Sequence, residues 1–246
     1  MNTGMGLIWI AGASGLLAFF TSLLYFLKQD KKFMILSQKL EFAAGAGIII
    51  AISLLVYHLV GVDTEYGYVF QHSSADLALK YRFSALWAGQ EGSFLVWTGF
   101  IFIMIAATRF TRAGKVLGET ELFALMKSVS LFVASAFLLL LVLKNPFSMY
   151  YLTWAGVPEV TNWNLFAEPF VASYGQGMNP LLRNFWMAIH PPLLFLGYAA
   201  FTLPFAAAIS GLILRDSRWQ EFATGLDACF LVLSHNGDRI WSPLGV

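Results

Sequence analysis

Charge is scarce in this chain, and that scarcity limits the class of protein. Only 12% of residues are charged, 58% are hydrophobic, and the formal net charge is +1. So small a net charge gives no reason to expect a nucleic-acid partner. The apolar composition is typical of an integral membrane protein. A single cysteine, Cys229, excludes an internal disulfide and a Cys-x-x-Cys site, so we interpret it as structural.

Short motifs of soluble enzymes are missing as well. The sequence contains no Walker, Rossmann or His-Glu-x-x-His pattern, and it lacks the alternating ten-residue segments of an outer-membrane barrel. Any segment that crosses lipid must therefore be an α-helix, because its backbone groups have to form hydrogen bonds within the segment. These absences leave a helical membrane protein as the class to test.

Long apolar runs are abundant instead. A helix needs about 20 residues to cross a hydrocarbon core of roughly 30 Å. Five stretches approach or exceed that length: residues 7–27, 43–62, 94–107 with their lead-in, 122–143 and about 191–214. The sequence therefore predicts an all-α integral membrane protein with about five transmembrane helices. No basic residue precedes the first stretch, and it is too long for a signal peptide, so we expect a retained anchor.

Basic residues gather after the first, third and fifth apolar stretches, as Lys28, Lys31, Lys32, Lys39, Arg109, Arg112, Lys115, Arg215 and Arg218. Such segments stay in the cytoplasm. We therefore expect a multi-pass protein whose N-terminus lies outside. The two remaining connections, residues 63–93 and 144–190, are aromatic-rich and poorer in basic residues, and we expect them as loops on the outer face.

The first outer loop ends in the block Trp87-Ala-Gly-Gln-Glu-Gly-Ser93, which runs directly into the third apolar stretch. Glycines allow close backbone approach, and a carboxylate such as Glu91 is stabilised near a helix N-terminus. One interpretation is a helix cap, with Trp87 and Trp97 in an interfacial aromatic belt. The other is part of a binding site, and the residues alone leave both open.

The second outer loop ends at His190, which two prolines follow. Proline disfavours helix for the residue before it and suits a first helical turn, so we expect the fifth helix to begin at Pro191. Residues 181–189 are expected to form a short amphipathic helix among the headgroups. His190 would then lie at the outer membrane edge near Trp186, a setting suited to haem. A structural hydrogen bond is the competing interpretation of His190, and His72 is expected to be solvated.

Four blocks together resemble a known family. They are WAGQEGSFLVW at residues 87–97, NPFS at 145–148, MNPLL at 178–182 and IHPPLLFLGY at 189–198. In order and spacing they are similar to the N-terminal part of CcmF, the cytochrome c-type biogenesis protein of the haem-lyase family. The resemblance extends over about residues 5–224. It is specific because the blocks occur together, whereas His-Pro-Pro by itself would be weak.

The resemblance implies a haem-handling protein of the bacterial inner membrane. Such a protein receives haem from a haem chaperone and attaches it on the outer face to the Cys-x-x-Cys-His motif of apocytochrome c, alongside other membrane proteins of cytochrome c maturation and in contact with membrane lipid. It also implies that His190 is an axial ligand of the haem iron, with Trp87, Glu91, Asn179 and Trp186 as further cofactor-binding candidates. Gln90 stands where the family usually has histidine, and no catalytic residue is assigned.

The chain also departs from the family pattern. The resemblance implies a tryptophan-rich haem platform and further haem-ligating histidines downstream, and these 246 residues contain none of them. We interpret residues 1–224 as the CcmF-like membrane domain and 225–246 as an atypical tail, for which a frameshift is one hypothesis. Alternatives to haem delivery are a truncated or partner-dependent fragment that is inactive alone and, more weakly, an ion- or proton-coupled subunit using Lys127 and His58.

Overall fold

A computed structural model describes residues 2–152, 158–161 and 174–220. The described residues contain eight α-helices: α1 (Thr3–Lys28), α2 (Lys31–Gly61), α3 (Gly67–His72), α4 (Leu79–Ser84), α5 (Gln90–Ala107), α6 (Arg112–Leu117), α7 (Glu121–Leu143) and α8 (Phe185–Leu214). Five of them, α1, α2, α5, α7 and α8, are long and apolar enough to cross a membrane. The predicted helical membrane fold is confirmed. The atypical tail, with Cys229, lies outside the described residues.

Helix α2 is longer than the apolar stretch that predicted it. The side chain of Asp30 accepts a hydrogen bond from the backbone N–H of Lys32 at 2.9 Å, so the helix begins at Lys31 rather than near residue 43. At the other end, Val62 adopts a left-handed conformation and closes the helix. Glu41 therefore lies inside the helix and is buried.

The prediction that the fifth membrane helix begins at Pro191 is wrong. Helix α8 begins at Phe185 because Asn184 caps it, its side chain accepting from the backbone N–H of Trp186 at 2.8 Å. Pro191 and Pro192 lie about two turns inside the helix, where each forfeits one backbone hydrogen bond. The expected separate helix over residues 181–189 is also wrong, since that run divides between a short 3-10 turn, Pro180–Leu182, and the start of α8.

The bundle is built on an antiparallel hairpin of α1 and α2, with α7 packed along α1. Small residues allow this close packing. A Cβ atom on Gly15 would collide with Leu138 of α7, and one on Gly4 would collide with the ring of Phe147. Phe147, which follows α7, is fully buried and packs the start of the second long connection against α1. Its carbonyl oxygen also accepts from the Asn2 side chain at 2.8 Å.

All three basic segments lie at the same end of the bundle. Lys31 forms an ion pair with Glu119 at 3.2 Å, which links the α1–α2 turn to the α6–α7 connection. The segment after α8 joins them, because Trp219 packs against Gly211 and belongs to a cluster with Leu117. The grouping expected from the charge pattern is thus present in the fold. Its assignment to the cytoplasmic side follows from the positive-inside rule and stays a prediction.

The two long connections pack on each other at the opposite end. The N–H of Gly67 donates to the carbonyl of Ser148 at 2.8 Å, and the N–H of Gln176 donates to that of Phe70 at 2.7 Å. A two-stranded antiparallel ribbon, β1 (Met149–Leu152) and β2 (Pro158–Thr161), belongs to the second connection. The sequence did not predict this ribbon. The described parts of the two connections meet beside the start of α5 and the end of α7.

Candidate functional site

The turn that precedes α5 is organised around Tyr68. Its phenolic oxygen accepts a hydrogen bond from the N–H of Gly89 at 3.0 Å and lies 3.0 Å from the carbonyl oxygens of Ala85 and Leu86, to which the hydroxyl donates. Tyr68 is buried, and burial raises the pKa of its phenol, so the proton needed for donation is retained. The sequence does not mark Tyr68 as a site residue, because a single tyrosine in a loop carries no recognisable pattern.

The two glycines of the Trp87–Ser93 block are required by close packing. A Cβ atom on Gly92 would collide with the carbonyl oxygen of Leu86 and the hydroxyl of Tyr68. One on Gly89 would lie 2.6 Å from Nε2 of His72. The block is therefore more than a helix cap, since its backbone is fitted against side chains of α3.

His72 is partly buried in this arrangement, so the expectation that it is solvated is wrong. Its ring stacks on Tyr68 with centroids 4.4 Å apart, and Nδ1 lies 2.9 Å from the carbonyl oxygen of Tyr68. Because a carbonyl only accepts, Nδ1 carries the proton, and Nε2 keeps its lone pair in the neutral ring. Burial lowers the pKa of His72, while the Tyr68 carbonyl and the Glu91 carboxylate act in the opposite direction.

Glu91 lies in the first turn of α5 and lines a polar recess of about 210 Å³ between the two long connections. The recess has walls from α3, the start of α5 and the end of α7, formed by Gly67, Tyr68, Gln71, Glu91, Leu143, Lys144, Asn145 and Ser148. Lys144 donates to the side-chain oxygen of Gln90 at 2.8 Å. Gln90 thus links the first loop to the end of α7.

Trp87 ends the 3-10 turn Ala85–Trp87 and is half-buried against the core. Its ring meets that of Phe83 edge-on with centroids 5.9 Å apart. The indole Nε1 is shielded from solvent and has no hydrogen-bond partner among the described residues. Trp87 therefore serves in packing here, and its predicted role in cofactor binding stays a prediction.

The remaining candidates lie around the start of α8. The side chain of Asn179 accepts from the N–H of Leu181 at 3.0 Å and so holds the turn before the helix. Trp186 and His190 are four residues apart in α8 and therefore share one face. Both are exposed, together with large apolar neighbours: Phe185, Ile189, Leu193 and Leu194.

The candidates at the start of α5 and those at the start of α8 lie at similar heights along the bundle. The ring of Trp97 stacks on that of Phe195, with the ring centroids 6.0 Å apart, and its centroid lies 5.3 Å from that of Tyr198. Glu91 precedes Trp97 by six residues and His190 precedes Phe195 by five, in helices that both start at the end of the bundle where the two long connections meet. At 1.5 Å per residue these offsets are roughly 9 and 8 Å. Glu91 and His190 thus lie at similar heights.

Two further polar groups lie within the membrane helices. Nδ1 of His58 lies 2.6 Å from Oδ2 of Asp63 at the C-terminal end of α2. Near the opposite end, the buried Glu41 forms ion pairs with Lys127 at 2.6 Å and Arg109 at 2.8 Å. Lys127 is recognisable in the sequence as a charge within an apolar stretch, whereas Glu41 is not, because it precedes the apolar stretch that predicts α2.

Comparison with known proteins identifies the family. A sequence model described as the cytochrome c assembly protein matches residues 86–235, more than half of the chain. This protein belongs to the cytochrome c assembly family. The match includes the Trp87–Ser93 block, the Asn145–Ser148 block and His190, so the resemblance inferred from the motifs is confirmed.

Individual relatives agree with this assignment. The cytochrome c-type biogenesis protein CcmF of Pseudomonas fluorescens is 29% identical over 201 residues, covering 79% of this chain and 27% of that protein. The cytochrome c-type biogenesis protein NrfE of Haemophilus influenzae is 30% identical over 172 residues, covering 70% of this chain and 24% of that protein. The chain thus spans about a quarter of the length of these relatives.

A solved structure supports the fold. The cytochrome c haem lyase CcmF superposes with a TM-score of 0.59 at 21% sequence identity, covering 87% of this chain and 31% of that protein. At this identity the likeness concerns the architecture of the helices. The similarity extends over most of this chain, so its bundle corresponds to one part of the larger protein.

Proposed function

We propose that this protein handles haem in cytochrome c maturation, with His190 as an axial ligand of the haem iron on the outer face of the bacterial inner membrane. The observation that carries the proposal is an exposed imidazole near the start of a membrane helix, set among exposed apolar side chains. A neutral imidazole nitrogen binds haem iron, and an apolar surround suits the porphyrin face. Membership of the cytochrome c assembly family supports haem as the ligand.

The surroundings of His190 fit haem chemically. Phe185 is 65% exposed, Trp186 37% and Leu193 52%, so a broad apolar surface is available beside the imidazole. Such surface is stabilised when a flat apolar molecule covers it, by about 25 cal/mol for each Å² removed from water. We propose four further residues as haem contacts or as supports for the two loops: Asn179, Trp186, Trp87 and Glu91.

Within this proposal the residues have separate tasks. His190 would hold the haem through its iron, and the haem would be the group that is attached to apocytochrome c. Trp186, one turn away on the same face, covers part of the porphyrin. The Tyr68-centred turn holds α5 in place, and Trp97 packs α5 against Phe195 and Tyr198 of α8.

The proposed partners are a haem chaperone, apocytochrome c and other membrane proteins of cytochrome c maturation. A haem chaperone would deliver its cargo from the outer side, where both connecting loops lie in the orientation that the basic segments predict. The matched part is only 27% and 24% of the two relatives, so haem attachment by a complete haem lyase is a property proposed for the larger assembly.

The test is an absorption spectrum of the full chain purified in detergent and titrated with haem. The wild type is expected to give the Soret and visible bands of histidine-ligated haem, and His190→Ala is expected to lose or shift them. His58→Gln is the matched control, because it removes another imidazole from the outer end of the bundle. Equal spectra for wild type and His190→Ala would exclude His190 as the ligand, and loss in both variants would indicate damage to the bundle.

A further inference from the structure

A small cavity lies between α1, α2 and α7, at the end of the bundle that carries the basic segments. Its volume is about 20 Å³, and the polar side chains that line it are Ser22, Tyr25, Ser37, Gln38 and Lys127. A cavity holds a water molecule when it offers at least roughly 10–15 Å³ and two to four polar partners. The volume therefore admits one water molecule and is too small for an organic ligand.

Two of these polar groups have no partner in the part of the chain that the structure describes. Tyr25 is 6% exposed, and its hydroxyl forms no hydrogen bond there. The side-chain amide of Gln38, which is partly buried, forms none either. Both groups are reachable by a molecule the size of water, because neither belongs to the polar atoms that are shielded from solvent. Buried polar groups nearly always have a hydrogen-bond partner, so Tyr25 requires one that its described neighbours do not supply.

Lys127 has donors to spare. Its ammonium group carries three N–H donors, and its side chain is only 10% exposed. Among the described residues its partner is the carboxylate of Glu41, at 2.6 Å. A buried ion pair is stable only where the remaining protons also find acceptors. A water molecule both accepts and donates, so in this cavity it can accept from Lys127 and Tyr25 and donate to the side-chain oxygen of Gln38.

The charges beside the cavity favour a neutral occupant over an ion. The Lys127 ammonium repels a cation. The Glu41 carboxylate lies 2.6 Å from that ammonium and offsets its attraction for an anion. Arg109, the second cation on Glu41, is 38% exposed, so solvent screens most of its charge.

We propose that this cavity binds one water molecule, which forms hydrogen bonds with Lys127 and Tyr25. The Glu41–Lys127 pair is thereby a hydrated ion pair within the membrane helices. The water site lies at the opposite end of α8 from His190, and it does not depend on the proposed haem function.

The experiment is X-ray radiolytic footprinting of the full chain in detergent. X-ray pulses convert water into hydroxyl radicals wherever it is bound, so a ring beside an internal water is oxidised although bulk solvent does not reach it. The sample is kept under nitrogen in water enriched in oxygen-18, and mass spectrometry measures the rate at which Tyr25 gains this oxygen. Phe102 is the dry reference, because it is 4% exposed and lines neither this cavity nor the Glu91 recess. Ala124→Val fills the cavity, and Ala136→Val makes the same change at an exposed position of α7.

In the wild type and in Ala136→Val, Tyr25 is expected to be oxidised faster than Phe102, and Ala124→Val is expected to lose this excess. Oxidation of wild-type Tyr25 no faster than that of Phe102 would overturn the proposal, because the cavity would then be dry. An unchanged rate at Tyr25 in Ala124→Val, with Phe102 still slow, would also overturn it, since the radicals would come from bulk solvent. If Ala124→Val opens the bundle and Phe102 becomes fast, Ser22→Thr provides the same comparison, because it adds one methyl group to the cavity wall and keeps the hydroxyl.

Discussion

The phenolic oxygen of Tyr68 and the backbone nitrogen of Gly89 lie 3.0 Å apart, and this contact joins α3 to the turn that starts α5. The same hydroxyl donates to the carbonyl oxygens of Ala85 and Leu86 in the preceding turn. One buried side chain thus satisfies backbone groups that would otherwise be enclosed without partners. The geometry of the Trp87–Ser93 block depends on it.

Replacing Tyr68 with phenylalanine should destabilise the protein by about 1–3 kcal/mol, because the Gly89 N–H and the Ala85 and Leu86 carbonyls lose a buried partner. Thermal unfolding in detergent, followed by tryptophan fluorescence, measures the change. Tyr57→Phe is the control, since Tyr57 is 70% exposed and should tolerate loss of its hydroxyl. Equal midpoints for Tyr68→Phe and wild type would contradict the role of the hydroxyl.

Gly92→Ala should destabilise the protein by about 1–3 kcal/mol, because the added methyl group clashes with the Leu86 carbonyl oxygen. This oxygen is a backbone atom and cannot move away as a flexible side chain could. Gly197→Ala offers a contrast within α8, where a Cβ atom would have no neighbour within 4 Å. Alanine in a helix is favoured over glycine by up to about 1 kcal/mol. The same unfolding assay should therefore move in opposite directions for the two variants.

Stability should fall as the pH drops through about 6.5, because burial lowers the pKa of His72. Above the unfolded-state pKa of about 6.5 both states hold a neutral ring, and the stability is fully present. As pH falls below that value, the unfolded chain takes up a proton that the folded protein resists, so unfolding is favoured. His72→Gln should reduce the difference in unfolding midpoint between pH 7.5 and 5.5. An unchanged difference would assign the dependence to another group.

Glu41→Gln should cost about 3–5 kcal/mol, because it leaves Lys127 and Arg109 without their counter-charge in a largely buried position. Glu119→Gln removes the acid of the exposed Lys31 pair and should cost about 1 kcal/mol or less. The two variants have the same chemical change in different surroundings. Similar losses in both would show that burial does not govern the effect.

The sequence alone determined the class of the protein and the approximate place of its five membrane-length helices. Composition alone identifies the apolar runs that are long enough to cross a membrane. Lipid then requires each run to be a helix. The motif blocks pointed to the family, which the comparisons confirm. Helix starts were less predictable, because caps such as Asp30 and Asn184 outweighed the apolar boundary and the proline rule.

Only the tertiary structure decided which residues share a site. Tyr68, Gly89 and Gly92 are distant in sequence or unremarkable in type, and their relation depends on how α3 packs against the start of α5. The recess between Glu91 and Asn145 likewise arises because separate loops fold over the ends of two helices. Local sequence encodes a helix through composition and capping, whereas a site built from several segments depends on long-range packing that no short window contains.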